Sequence, residues 1–187
     1  MTIIDKIIPV NPYSNPDKAL KEVKAVVMHW TAVPMQPAID VCNYYANRKY
    51  GKAGYGSAHF IVGLNHDVFR CIHTNRVAYH CGVGSFDDAH KDPSSGKFYT
   101  DMARTLFGEY AENYQLLSPN LCTLGIEMVP VDKDGKFNES TLADAAELVV
   151  SLLTTYKLGV DKIITHNQVV GYKNCPKFWV DNPDKLE

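Results

Sequence analysis

Three observations predict an α/β fold, a mixed central β-sheet flanked by helices. Short apolar runs of strand length recur at residues 23–28, 59–64, 68–72, 121–129 and 162–165. Stretches with apolar residues at helical spacing alternate with them. The chain has 187 residues, 45% hydrophobic and 21% charged, which suits one domain with its own core. A single unit over residues 1–187 is therefore expected, with an N-terminal arm over 1–20 and an inserted polar segment over 84–120.

Taken in order, residues 7–17 hold Pro9, Pro12 and Pro16 with Asn11 and Asn15, the composition of an irregular arm. Val23 to Met28 reads as a buried strand. Asp40 to Arg48 carries Val41, Tyr44 and Tyr45 at helical spacing, and the glycines of Lys49 to Gly56 mark a loop. His59 to Leu64 and Val68 to Ile72 form a strand pair across the turn residues Asn65, His66 and Asp67. One helix is expected near Thr100 to Glu112 in the polar segment. Leu121 to Val129 is a core strand. Ser140 is expected to cap a helix from Thr141 to Tyr156, whose stripe is Leu142, Ala145, Ala146, Val149, Leu152 and Leu153. Gly159 stands in the expected C-cap position, and Lys162 to Thr165 is the last strand.

A formal net charge of -2 without a basic run argues against nucleic acid as a partner. No apolar run is long enough to insert in a membrane, and Met1 to Lys6 lacks the pattern of a secretory signal. Synthesis in a reducing cytoplasm, a monomeric state and a discrete ligand held in a cleft are the expectations. Of five cysteines, Cys42, Cys71, Cys81 and Cys122 lie in or beside apolar segments and read as small buried thiols. Cys175 differs, with Lys173, Asn174 and Pro176 as its neighbours.

His29 closes the run Ala25-Val26-Val27-Met28, and His166 follows the last strand, nine residues before Cys175. A lone histidine at a strand end is more often structural than a ligand, and a lone cysteine is usually inert. In combination these three supply the donors that Zn²⁺ prefers, and three ligands leave the open position of a catalytic site. Lys173 would put a cation beside that position. Glu127 sits in the apolar strand Leu124-Gly125-Ile126-Glu127-Met128. It is either one polar residue turned outward or a carboxylate of raised pKa suited to general-base work, and the strand pattern leaves both open. Trp30, beside a ligand, faces cleft or core. His59 is expected to pack or hydrogen-bond within its strand; His66, His73 and His90 are expected in solvent.

Five blocks, in this order and spacing, carry a resemblance: Val26-Val27-Met28-His29-Trp30-Thr31-Ala32, Ser57-Ala58-His59-Phe60-Ile61-Val62, Ala78-Tyr79-His80-Cys81-Gly82, Leu124 to Met128, and His166 through Lys173 to Cys175-Pro176. The chain resembles the zinc-dependent N-acetylmuramoyl-L-alanine amidases related to phage lysozyme-type amidases and peptidoglycan recognition proteins. The resemblance implies cleavage of the amide between N-acetylmuramic acid and L-alanine in bacterial peptidoglycan. It implies His29, His166 and Cys175 as zinc ligands, Glu127 as the catalytic glutamate and Lys173 as the oxyanion stabiliser. Relatives that use a tyrosine before the histidine of the second block have no counterpart here, because that position is Ala58. Tyr79, where many relatives have tryptophan, and His80 would line the substrate groove together with Trp30. The implied setting is the bacterial cell wall, reached by a phage endolysin at lysis or by an exported autolysin. Two other readings stand beside this one: a non-catalytic peptidoglycan-binding module, and a thiol hydrolase with Cys175 as nucleophile and His166 as base.

Overall fold

The computed structural model describes residues 1–185; Leu186 and Glu187, at the end of the expected domain, lie outside the described residues. Six strands form one sheet: β1 (Ile3–Asp5), β2 (Ala25–Trp30), β3 (Phe60–Val62), β4 (Val68–Arg70), β5 (Thr123–Met128) and β6 (Ile163–Thr165). Their spatial order is β1-β4-β3-β5-β2-β6. All neighbours pair in parallel except β3 and β4, which the turn at residues 63–67 joins antiparallel. The sheet is thus mixed, and β2, β3, β5 and β6 all point their C-terminal ends the same way. In open α/β sheets that end is where ligand sites are built.

The two faces of the sheet bury different residues. Val26, Met28, Phe60, Val62, Leu124, Ile126 and Met128 form one core cluster with Ala145, Leu148, Val149, Leu152 and Leu153 of helix α4 (Glu139–Tyr156). On the other face, Ala25 and Val27 pack with Phe107 of α2 (Asp101–Phe107), Tyr110 of α3 (Glu109–Glu112) and Val169 of α5 (His166–Val170). Ile61 on that face packs under α1 (Ala38–Asn47) with Val41, Cys42 and Tyr45. Helices therefore cover both faces, as the interleaved pattern predicts. A last short helix, α6 (Lys177–Asp181), follows Cys175.

Several expected boundaries move. The first core strand is Ala25–Trp30, so His29 stands inside a strand and not just past it. The arm contributes an edge strand, β1, too short to have a readable period, and Ile8 and Ser14 of the arm are buried. The single helix expected at 100–112 is two, broken at Gly108, whose φ of 56° no α-helix continues. Tyr99 and Phe107 sink into the core, so the segment 84–120 is structural in part. The N-cap of α4 is Asn138, whose side chain accepts from Thr141 N–H, and not Ser140. Its C-cap is Lys157 in the left-handed conformation, and Gly159 lies beyond the helix at φ -78°. The reason is Leu158: its N–H reaches back to the Leu153 carbonyl at 2.9 Å while its side chain packs on the α4 core cluster. That apolar anchor stops the helix two residues before the glycine.

Cys42, Cys71, Cys81 and Cys122 are buried, as expected, and Cys175 is buried with them. Among the described residues no helix is long and apolar enough to cross a membrane.

Candidate active site

The site forms where the parallel strands end. In the β2–β5 register His29 lies directly beside Glu127, and two residues earlier Val27 lies beside Gly125. Strand alternation puts all four on one face. β6 pairs with β2 up to Thr165 and hands the chain to α5, whose first residue is His166. Thr165 caps α5 reciprocally with Gln168, each side chain meeting the other's backbone N–H. This turn aims His166 at the end of β2. Gly171 then ends α5 at φ 75°, where a side chain would collide with Asp92. Asn167 folds the following loop back: its side chain donates to the carbonyls of Gly171 and Lys173, and its N–H bonds the Cys175 carbonyl at 2.9 Å.

The result is one buried cluster. Nδ1 of His29 lies 3.1 Å from Nδ1 of His166 and 3.7 Å from Sγ of Cys175. The three donor atoms all fall within 4.8 Å of one another. A tetrahedral ion with the usual bond lengths would hold two nitrogens about 3.3 Å apart and nitrogen and sulfur about 3.6 Å apart. The two separations measured from His29 are close to those of such an ion. The electrostatics fit as well. Burial, then the neighbouring imidazoles, hold His29 well below the usual histidine range. Burial and the charge of Lys173 bring His166 down to about 3. Both rings are neutral at physiological pH, so each keeps a lone pair to offer. Among the described residues His166 Nε2 is buried with no partner.

Glu127 is half-buried, and its two oxygens differ. Oε1 accepts from the Tyr45 hydroxyl at 3.0 Å, whereas Oε2 is buried without a partner among the described residues. Burial raises its pKa to about 7, against the opposing pull of the Tyr45 hydrogen bond and of Lys173. Glu127 thus turns toward Tyr45 and the mouth of the strand end. Trp30 lines a depression of about 460 Å³ with Glu127, Tyr45 and Arg48. A second cleft, of about 540 Å³, is lined by Tyr55, Tyr79, His80, His166 and Lys173. Lys173 is exposed at its wall, 5.7 Å from the Tyr172 ring centroid. The sequence-derived residues thus gather in one place, with Trp30 on the Glu127 side and Tyr79 and His80 on the Lys173 side.

His80 is 8% exposed, and its ring nitrogens bond inward, to His29 Nε2 at 3.1 Å and to Thr123 Oγ1 at 3.2 Å. His59 is fully buried and hydrogen-bonded, as expected. His73 is exposed, and so is His66, although its Nδ1 meets the buried Asp144 carboxylate. His90 is half-buried against Asp87 and Tyr172 and not in open solvent. Tyr45 and Thr123 touch the site but carry no sequence signal for it: one looks like a helix-face aromatic, the other like a strand residue.

The model of the family described as N-acetylmuramoyl-L-alanine amidase matches residues 19–178. The chain is 34% identical over 184 residues to a probable N-acetylmuramoyl-L-alanine amidase of Bacillus licheniformis, covering 98% of this chain and 45% of that one. It is 32% identical over 182 residues to the N-acetylmuramoyl-L-alanine amidase BlyA of Bacillus subtilis (strain 168), covering 96% and 43%. The chain thus spans less than half the length of these relatives. Among solved structures, it is similar to a mutant endolysin from Bacillus subtilis (TM-score 0.67, 22% identity, 100% and 96% covered). It is also similar to the Ph2119 endolysin from a Thermus scotoductus bacteriophage (TM-score 0.58, 17% identity, 94% and 91% covered). At such identities these two establish the fold.

Proposed function

We propose, for a chain that belongs to the N-acetylmuramoyl-L-alanine amidase family, hydrolysis of the amide between N-acetylmuramic acid and L-alanine in bacterial peptidoglycan, with Zn²⁺ held by His29, His166 and Cys175. The observation that carries this reading is the pairing of a buried three-donor cluster with a register-matched carboxylate, Glu127, whose pKa is raised to about 7. The relatives' names support the substrate, and the fold of the endolysin structures supports the architecture.

When bound, the ion would supply Lewis acidity and an activated water. The chain's own residues do the rest. Glu127 Oε2, free of partners and near neutral pKa, takes a proton from water and returns it to the departing amine. Tyr45 holds the other oxygen and so aims the carboxylate. Lys173 offers its ammonium to the oxyanion, a contribution of roughly 3 kcal/mol for comparable donors. Tyr79 and Tyr55, edge to face with centroids 5.4 Å apart, form an aromatic wall for the muramyl peptide. The site of action is the cell wall, as a phage endolysin or an autolysin, and the working unit is a monomer.

The cysteine-nucleophile alternative is disfavoured, because burial and the nearby Glu127 charge push the Cys175 thiol up and, without a metal cation bound to it, disfavour the thiolate. His166, at about 3, is too weak a base to activate it. A purely binding module has no need of a base and a metal cluster in register. Mass spectrometry of the fragments released from purified peptidoglycan tests the bond cut: free L-alanine amino termini with intact glycan strands are expected, and cut glycosidic bonds would overturn the proposal. Metal analysis should find one zinc per chain. Full activity in excess chelator would overturn the metal assignment.

A further inference from the structure

The groove role expected of His80 leaves its hydrogen bonding unexplained. Thr123 Oγ1 lies 2.7 Å from the Pro119 carbonyl oxygen, which can only accept, so the single hydroxyl proton goes there. The same oxygen is 3.2 Å from His80 Nε2 and must accept from it. A neutral imidazole carries one proton, so His80 Nδ1 is left with its lone pair. That atom faces His29 Nε2 at 3.1 Å. His29 therefore carries its proton on Nε2, which leaves the Nδ1 lone pair pointing at His166 and Cys175.

We propose that Thr123 and His80 are positioning residues that fix His29 in the tautomer whose Nδ1 is offered to the metal, an inference that rests on the zinc reading above. The ring of His80 is held for this task. It lies over Gly125, where an added Cβ would stand 2.6 Å from its Cγ. The backbone N–H groups of His80 and Cys81 both donate to Asn120 Oδ1, at 3.0 and 2.9 Å. The two imidazoles meet edge to face, 88° between planes. This explains a glycine in the middle of the core strand β5, where it otherwise weakens the strand. It also explains a buried threonine hydroxyl whose acceptor is a turn carbonyl. Groups outside the ligand shell that orient a ligating histidine commonly change metal affinity ten- to a hundredfold when removed.

The test compares Thr123→Val, which keeps the shape and loses the hydroxyl, with Thr123→Ser, which keeps the hydroxyl. Long-range ¹H–¹⁵N NMR of the metal-free protein reads the His29 tautomer, and competition with a chromophoric chelator reads zinc affinity. Wild type and Thr123→Ser should show His29 protonated on Nε2 alone. Thr123→Val should show a tautomer mixture and bind zinc ten- to a hundredfold more weakly. Thr123→Ala serves the same comparison if the valine variant does not fold. A wild-type His29 protonated on Nδ1, or a tautomer and affinity indifferent to loss of the hydroxyl, would overturn the relay. A tautomer that responds to the hydroxyl in a protein that binds no zinc would support the relay and sink the metal reading instead.

Discussion

Glu127 is one side chain with two unlike oxygens, one held by Tyr45 and one without a partner among the described residues. Glu127→Gln keeps the size and the hydrogen bond from Tyr45 but cannot take a proton. Turnover should fall about a hundredfold or more, with zinc content unchanged by metal analysis. Lys173→Ala should behave differently from a ligand variant. The exposed ammonium stands at the cleft wall and is not one of the three donors, so kcat should drop while KM and bound zinc hold, the pattern of an interaction made only in the transition state. Steady-state kinetics on soluble muramyl peptide checks the split. At this scale the sequence is most legible where polarity contradicts its surroundings: His29 and Glu127 each interrupt an apolar run. Tyr45 and Thr123 do not, since a half-apolar aromatic on a helix face and a threonine in a strand fit their surroundings whether or not they serve a site.

The elements show the same division. β2, β3, β5 and α4 announce themselves because they bury apolar side chains, β3 in only three residues, whereas β1 is exposed along its length and α5 and α6, with five residues each, have too few turns to leave a period. The α4 N-terminus offered two capping residues two positions apart, Asn138 and Ser140. Asn138 takes the cap: Oδ1 accepts the Thr141 N–H at 2.8 Å, while its Nδ2 and the Ser140 hydroxyl both donate to the Leu64 carbonyl, fastening the helix to the end of β3. Asn138→Ala should therefore cost about 1 kcal/mol or somewhat more. For a domain of this size that is a fall in Tm of roughly 2–4 °C, measurable by calorimetry.

Across the whole molecule, the interior holds several neutral imidazoles, and this makes stability depend on pH. His59 is the clearest case: Nδ1 accepts from Gly125 N–H at 3.0 Å while Nε2 bonds the Arg76 carbonyl at 2.9 Å, so a second proton would face an N–H. Burial lowers its pKa to about 4, against the opposing pull of the Arg76 carbonyl. The unfolded chain takes up the proton near 6.5, so the contribution is complete above that pH and is lost as pH falls toward 4. The loss is roughly 3 kcal/mol for a shift of this size. Urea midpoints at pH 7 and pH 4.5 should differ strongly for the wild type and less for His59→Gln, whose amide cannot take up that proton.

β2 is central in space but early in the chain, while the residues that complete its cluster come late: His166 follows His29 by 137 positions and Cys175 by 146. During synthesis at 5–20 residues per second, roughly 7–30 s separate the first ligand from the last. Until His166 is added, a nascent chain carries one of the three donors. The order of the residues thus sets an order in time: the three-donor cluster is complete only once the loop that carries Cys175 closes over the end of β2.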